Sequence, residues 1–109
     1  MSGTSTPILG IDFGGSSIKA GAVDVSTGAV LGELQSVPTP KPATPEAVVG
    51  ALAGLAARFP HCAGPVGFAY PGVVTHGVAR SAANVDPAWL GVDAAALLQR
   101  ATGRPGWCV

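Results

Sequence analysis

A short apolar run near the start of the chain constrains the fold more than any other feature. Residues 8–13 read Ile-Leu-Gly-Ile-Asp-Phe and are apolar at positions on both faces of a strand. Such a run is typical of a central β-strand that is covered on both sides. A Gly-Gly-Ser-Ser sequence follows at residues 14–17 and predicts a tight turn. We therefore expect a sheet with this strand at its centre.

The next segments predict an antiparallel meander. Residues 18–25 and 29–37 have strand character and are separated by a turn at residues 26–28. Residues 38–42 contain three prolines, which remove amide donors and restrict the backbone, so this segment must be extended. The meander should therefore have three strands joined by short connections, followed by a proline-rich connector.

A helix and a parallel strand are expected after the connector. Thr44 and Pro45 are a typical N-cap and first helical residue. Residues 65–70 resume strand character, and a helix between two strands is the usual crossover to a parallel neighbour. The helix should extend to Pro60, with apolar residues at helical spacing at Val48, Leu52, Leu55 and Phe59.

The last third of the chain predicts a small hairpin and a second helix, and it ends where a further strand is expected. The hairpin turns at His76 and Gly77, and the helix runs from its N-cap Asp93 through Ala101 to a C-cap at Gly103. Another buried strand should follow, but only residues 106–109 remain. The expected fold class is α/β: a three-stranded antiparallel meander extended by a parallel strand through a crossover helix. Residues 1–109 should form one domain that lacks its final strand.

The charge balance and cysteine content exclude several classes of protein. The 109 residues include six Lys and Arg and six Asp and Glu, so the formal net charge is zero. A nucleic acid or an anionic membrane is therefore not an expected partner, and no apolar run is long enough to span a bilayer. Cys62 and Cys108 have neither disulfide-framework nor zinc-ligand spacing. Because no secretory pattern precedes the first strand, we expect a protein of the reducing cytoplasm.

The candidate chemistry surrounds the first turn. A carboxylate at the end of an apolar strand, Asp12, costs stability unless something satisfies it. It could serve a hydrated Mg²⁺ or a phosphate site, or it could accept the amides of the following turn. Residues 14–17 allow successive amides to point into one concavity that suits phosphate oxygens. Lys19 could reach back over this turn; the structural alternative is an ordinary hairpin with a solvated lysine.

These features carry a resemblance to a known family. The segment from Leu9 to Lys19, Leu-Gly-Ile-Asp-Phe-Gly-Gly-Ser-Ser-Ile-Lys, joins two strands and lacks the G-x-x-x-x-G-K-[ST] pattern of a P-loop. It resembles the phosphate-binding hairpin of ROK-family sugar kinases, which belong to the actin-like (ribonuclease H-like) ATPase superfamily. Residues 39–48 and the Ala-Ala-Asn-Val-Asp loop at residues 82–86 are similar to the polyphosphate glucokinases of that family. The resemblance covers about residues 8–105 and implies an actin-like ATPase fold.

The resemblance implies roles for individual residues. It assigns the sugar, glucose, to Gly72 and Asn84, for which a plain Pro-Gly turn and a turn-forming asparagine are the structural alternatives. It implies polyphosphate or ATP as the phosphoryl donor, with Mg²⁺ held by Asp12 through water, and a homodimer for the full-length protein. The implied donor contacts are Asp12, Gly14, Gly15, Ser16, Ser17 and Lys19.

The resemblance also implies that a catalytic residue is missing. In ROK kinases the base is an Asp in an Asn-Asp pair on the strand after Arg-Pro, whereas Arg104 and Pro105 are followed here by Gly-Trp-Cys-Val. We therefore expect the N-terminal domain of a kinase without its second domain and inactive alone, so whether this chain is itself an enzyme stays open. The alternative is a fragment that binds phosphate or sugar without chemistry. A ROK repressor would need a helix-turn-helix segment ahead of Ile8, where seven residues stand.

Overall fold

Two helices pack on one face of a five-stranded mixed sheet in the computed structural model, which describes residues 7–82 and 85–108. A separate two-stranded hairpin and one short 3₁₀ helix complete the described elements. In chain order they are β1 (Ile8–Phe13), β2 (Ser17–Val23), β3 (Val30–Pro38), α1 (Pro45–Ala56), β4 (Val66–Ala69), β5 (Val74–Thr75), β6 (Val78–Ala79), the 3₁₀ helix (Pro87–Trp89), α2 (Ala94–Thr102) and β7 (Gly106–Cys108).

The strand order of the main sheet is β3-β2-β1-β4-β7. Strands β1, β2 and β3 pair antiparallel as a meander, and β4 pairs parallel with β1 after the crossover through α1. The expected meander and its parallel extension are thus confirmed. Strand β1 lies at the centre because it is the strand to which both the meander and the crossover attach.

The ends of β2 and α1 lie earlier in the chain than expected. Strand β2 ends at Val23 because Asp24 begins a turn: its carboxylate accepts the Ser26 amide over 2.9 Å, and its carbonyl accepts the Gly28 amide over 2.7 Å. Helix α1 ends at Ala56, and the next turn tightens as the Phe59 amide bonds the Ala56 carbonyl over 3.0 Å. Phe59 is still only 5% exposed, so it packs in the core from outside the helix.

The structure corrects the expectation that the final strand is missing. Strand β7 is present as a three-residue piece that pairs parallel with β4. A Cβ built on Gly106 would lie 2.6 Å from Cδ2 of Leu98, so the missing side chain lets β7 approach α2 closely. Strand β7 is stabilised by its pairing with β4 and by its close packing against α2. Trp107 in β7 is 64% exposed, unlike a residue of the buried strand that was expected.

The sheet has one covered and one open face among the described residues. Leu9, Ile11 and Phe13 of β1 point to the helices and are buried in a core with residues of α1 and α2. On the opposite face the strand register aligns Gly10 with both Gly21 and Gly67. Strand β1 is therefore central but covered on one side only, which differs from the two-sided cover expected from its apolar sequence. None of the helices described is long and apolar enough to cross a membrane.

Candidate functional site

Asp12 and Lys19 face each other at the end of the central hairpin. The antiparallel register of β1 and β2 makes them direct partners, and both side chains are exposed on the open face of the sheet. Directly opposed residues in such a pair have Cβ atoms about 5 Å apart. The structure therefore brings together the carboxylate and the cation that the sequence singled out.

The turn between β1 and β2, which we call the glycine turn, consists of Gly14, Gly15 and Ser16. The Gly14 amide donates to the carbonyl of Ser17 over 2.9 Å, so it closes the turn. A Cβ on Gly14 would lie 2.7 Å from that same oxygen, whereas a Cβ on Gly15 would meet nothing within 4 Å. The amides of Gly15 and Ser16 donate to no acceptor among residues 7–82 and 85–108. Two of the expected donor groups are thus unpaired among the described residues, whereas the Gly14 amide is already hydrogen-bonded.

Thr39 fastens the proline-rich connector to the glycine turn. Its hydroxyl donates to the carbonyl oxygen of Gly14 over 2.7 Å, and its amide donates to the carbonyl oxygen of Ser16 over 3.0 Å. Thr39 is 5% exposed and is the buried polar residue of the described core. A buried hydroxyl is stabilising only when it is hydrogen-bonded. Thr39 therefore positions the end of β3 against the turn.

A pocket of about 290 Å³, which we call the turn pocket, opens beside the glycine turn. It is lined by Gly15, by residues 40–43, and by Val85 and Asp86. Lys41 is the cation in this lining, and Asp86 is the anion. The Asp86 carboxylate also accepts the Ala88 amide over 2.8 Å and caps the 3₁₀ helix. The pocket therefore combines a glycine of the turn, a lysine and a carboxylate.

Asp12 and Lys19 belong to a second pocket, of about 280 Å³, on the open face of the sheet. We call it the sheet-face pocket. The sequence-predicted donor residues are thus divided, with Asp12 and Lys19 on one side of the hairpin and Gly15 in the turn pocket on the other. The remaining lining of the sheet-face pocket is Gly10, Ile11, Ala20, Gly21, Val23, Val30 and Leu34.

An aromatic cluster supports the turn pocket from below. Trp89 is fully buried, and its indole Nε1 donates to the carbonyl oxygen of Ala43 over 2.8 Å. Phe13 and Tyr70 pack on Trp89 with ring centroids 5.5 Å and 5.3 Å away. The Tyr70 hydroxyl donates to the Ser81 carbonyl over 2.7 Å, and burial raises its pKa. Buried Tyr and Trp usually find a partner for their polar group, and here these two bonds tie the loops at Ala43 and Ser81 to the core.

Gly72 lies where a side chain would clash with its neighbours. A Cβ at this position would lie 2.7 Å from Oγ of Ser81 and 2.8 Å from Cε2 of Tyr70. Gly72 is also exposed, so a ligand could approach its backbone. Its expected role in sugar binding therefore stays a prediction, next to a packing role that the geometry supports. Asn84, the other expected sugar contact, lies outside the described residues.

The remaining acidic, histidine and cysteine residues do not form a second site in the described part of the chain. Asp93 accepts the Ala96 amide over 3.0 Å and caps α2, as expected. His61 and His76 are exposed. No group of three or more His, Cys, Asp or Glu side chains is placed to hold a metal ion among residues 7–82 and 85–108. Burial raises the pKa of Cys108 to about 11, the neighbouring Asp93 adding to the shift.

Sequence reasoning missed Thr39 and Lys41 as residues of the site. Both lie in the proline-rich segment, which we expected to be an extended connector and part of the family resemblance, without a role in the site. The available signal was a threonine at the end of a strand, between two prolines, with a cation two residues later. That signal becomes meaningful only when the connector is seen against the glycine turn.

Comparison with known proteins identifies the family. The model of the ROK family matches residues 8–107. The chain belongs to the ROK family. Its relatives include the polyphosphate glucokinase of Mycobacterium tuberculosis, which is 53% identical over 86 residues, or 79% of this chain and 32% of the relative. The chain spans about a quarter to a third of the length of the curated relatives it matches.

Solved structures of ROK proteins agree with the fold. The inorganic polyphosphate/ATP-glucomannokinase from Arthrobacter sp. strain KM has a TM-score of 0.90 and 47% identity over 96% of this chain and 44% of its own. A ROK family glucokinase from Streptomyces griseus, solved with glucose and AMPPNP, has a TM-score of 0.80 and 29% identity over 94% of this chain and 32% of its own. The actin-like ATPase fold implied by the sequence resemblance is therefore confirmed.

Proposed function

We propose that this chain forms the donor-binding part of a polyphosphate glucokinase, which transfers a phosphoryl group from polyphosphate or ATP to the 6-hydroxyl of glucose. The observation that carries the proposal is the end of the β1–β2 hairpin. There Asp12 lies opposite Lys19, and the amides of Gly15 and Ser16 in the glycine turn have no hydrogen-bond partner among the described residues. Backbone amides and lysine cations are groups that bind phosphate oxygens, and here the amides lie in the turn and the lysine on the strand that follows it. The names of the relatives support the choice of reaction.

The hairpin also fits Mg²⁺ in the form in which kinases use it. Mg²⁺ keeps several waters and is commonly bound by one or two carboxylates together with substrate phosphates. Asp12 is a single exposed carboxylate beside the proposed phosphate site, which suits a contact through water. When bound, the ion would neutralise charge on the phosphates during transfer. Lys19 and the turn amides would hold the donor in place, while Ser17 could add a hydroxyl donor.

We propose that the acceptor sugar binds at Gly72 and Asn84. The base that takes the proton of the sugar hydroxyl would then lie elsewhere in the full-length enzyme. In the transfer, the sugar oxygen forms a bond to the terminal phosphorus, the bridging P–O bond breaks, and a base takes the hydroxyl proton. Asp86 and Asp93 each cap a helix in this chain and are not proposed for that role. We therefore expect the 109-residue chain to be inactive alone. From the family resemblance we also propose that the full-length protein is a cytoplasmic homodimer.

A chimera tests this proposal. The matching segment of the Mycobacterium tuberculosis polyphosphate glucokinase is replaced by this chain, and glucose 6-phosphate is measured with glucose, Mg²⁺ and polyphosphate or ATP. We expect turnover by the chimera, loss of most of it in Lys19→Ala, and none from the isolated chain. Turnover by the isolated chain on the order of 1 to 100 per second would overturn its expected inactivity. A chimera that folds and binds polyphosphate but shows no turnover would favour the alternative hypothesis, a fragment that binds phosphate without chemistry.

A further inference from the structure

Lys41 lies in the turn pocket on a segment that is held at both ends. On one side Thr39 bonds the carbonyls of Gly14 and Ser16, and on the other the Ala43 carbonyl accepts the Trp89 indole over 2.8 Å. The Lys41 side chain is exposed, and Gly15 lines the same pocket. A cation on an anchored segment loses less conformational freedom on binding than one on a mobile loop. Lys41 is thus a cation held beside the turn.

Lys19 and Lys41 lie in different pockets on the two sides of the glycine turn. Lys19 lines the sheet-face pocket and Lys41 lines the turn pocket. Because the two lysines line different pockets, we expect a single phosphate group bound in either pocket to contact one of them. A linear chain of phosphates repeats its charged oxygens along its length, so it can pass over the turn and meet both. The two-sided arrangement therefore favours an extended phosphate chain over a single phosphate.

We infer that Lys41 is a second cationic contact for the donor, and that linear polyphosphate runs over the glycine turn from Lys19 to Lys41. The inference rests on the proposed function and deepens it, because it favours linear polyphosphate over ATP as the donor and adds a residue outside the family-implied set. Asp86 opposes Lys41 in the same pocket, and its negative charge weakens the binding of an anion there. Removal of the Lys41 cation should therefore weaken polyphosphate binding, and neutralising Asp86 should strengthen it.

Calorimetric titration of the 109-residue chain with long-chain polyphosphate, tripolyphosphate and orthophosphate tests the inference. We expect Lys41→Ala to weaken polyphosphate binding about tenfold, as for the loss of one charge-assisted contact, and to reduce its salt dependence. Orthophosphate binding should not change. Lys41→Arg should keep most of the affinity, and Asp86→Asn should raise it about two- to fivefold while still capping the 3₁₀ helix. Arg100→Ala removes an exposed cation of α2 outside both pockets and is the matched control.

Amide NMR spectra recorded in the same titrations separate the outcomes. Shifts at Gly15 and Ser16 with polyphosphate, together with wild-type affinity in Lys41→Ala, would overturn the role of Lys41 and leave the proposed function standing. Equal losses for orthophosphate and polyphosphate in Lys41→Ala would overturn the path across the turn. Polyphosphate that shifts neither amide would remove both the inference and the proposed donor site.

Discussion

The hydroxyl of Thr39 donates a hydrogen bond to the carbonyl oxygen of Gly14 over 2.7 Å, across 25 positions of sequence. This bond joins the end of β3 to the turn that follows β1. It sets the distance between the glycine turn and the connector that carries Lys41. Together with the bond from the Thr39 amide to Ser16 and the bond from Trp89 to Ala43, it holds the connector wall of the turn pocket.

Replacement of Thr39 by Val should therefore destabilise the chain. The substitution keeps the side-chain shape but leaves the Gly14 carbonyl without its donor, which costs about 1 to 3 kcal/mol. Thr39→Ser keeps the hydroxyl and loses one methyl group, so it should cost only about 1 kcal/mol. Urea unfolding measures both free energies. A Thr39→Val variant as stable as the wild-type chain would show that the bond does not hold the connector.

Alanine at the two turn glycines should have different consequences for folding. A Cβ at position 14 would lie 2.7 Å from the Ser17 carbonyl oxygen, so Gly14→Ala should cost about 1 to 3 kcal/mol. A Cβ at position 15 would meet nothing within 4 Å, so Gly15→Ala should change the free energy of unfolding by less than about 0.5 kcal/mol. Gly15→Ala should still weaken polyphosphate binding, because its methyl group enters the turn pocket. Equal stability losses in the two variants would contradict this account of the turn.

The two tryptophans should differ in their contribution to stability. Trp89→Phe removes the donor to the Ala43 carbonyl and part of a buried ring, at a cost of about 2 to 3 kcal/mol. Trp107 is 64% exposed, so Trp107→Phe should change stability by less than about 0.5 kcal/mol. Thermal unfolding followed by circular dichroism compares them without relying on fluorescence. Similar midpoints for both variants would mean that Trp89 does not anchor the connector.

The free energy of unfolding should fall at alkaline pH. Burial raises the pKa of Cys108 from 9.0 to about 11 and also raises that of Cys62. Between pH 9.0 and about 11 the unfolded chain loses these protons first, so rising pH favours unfolding in this window. Urea unfolding at about pH 8 and about pH 10 measures the fall. Cys108→Ala should reduce it, and an identical fall in that variant would exclude Cys108 as a source.

Local sequence signals predicted the elements because the bonds that end and begin them span only a few residues. Thr44 caps α1 by accepting the Ala47 amide over 3.2 Å, and Gly103 ends α2 in the left-handed region at a φ of 73°. The glycine turn was predicted for the same reason. The short strand β7 was missed because its pairing depends on the free edge of β4, which is distant in sequence.

The sequence by itself determined the meander, the crossover, both helices with their N-caps, and the Asp12, glycine-turn and Lys19 unit of the hairpin. Only the tertiary structure decided which side of the hairpin each of these residues faces and what lies against the turn. Strand alternation places Asp12 and Lys19 on the open face, while Thr39 and Trp89 draw the connector with Lys41 to the other side. The Trp89 contact spans 46 positions of sequence. Such contacts depend on strand order and on how the loops pack, and the periodicity of a single segment encodes neither.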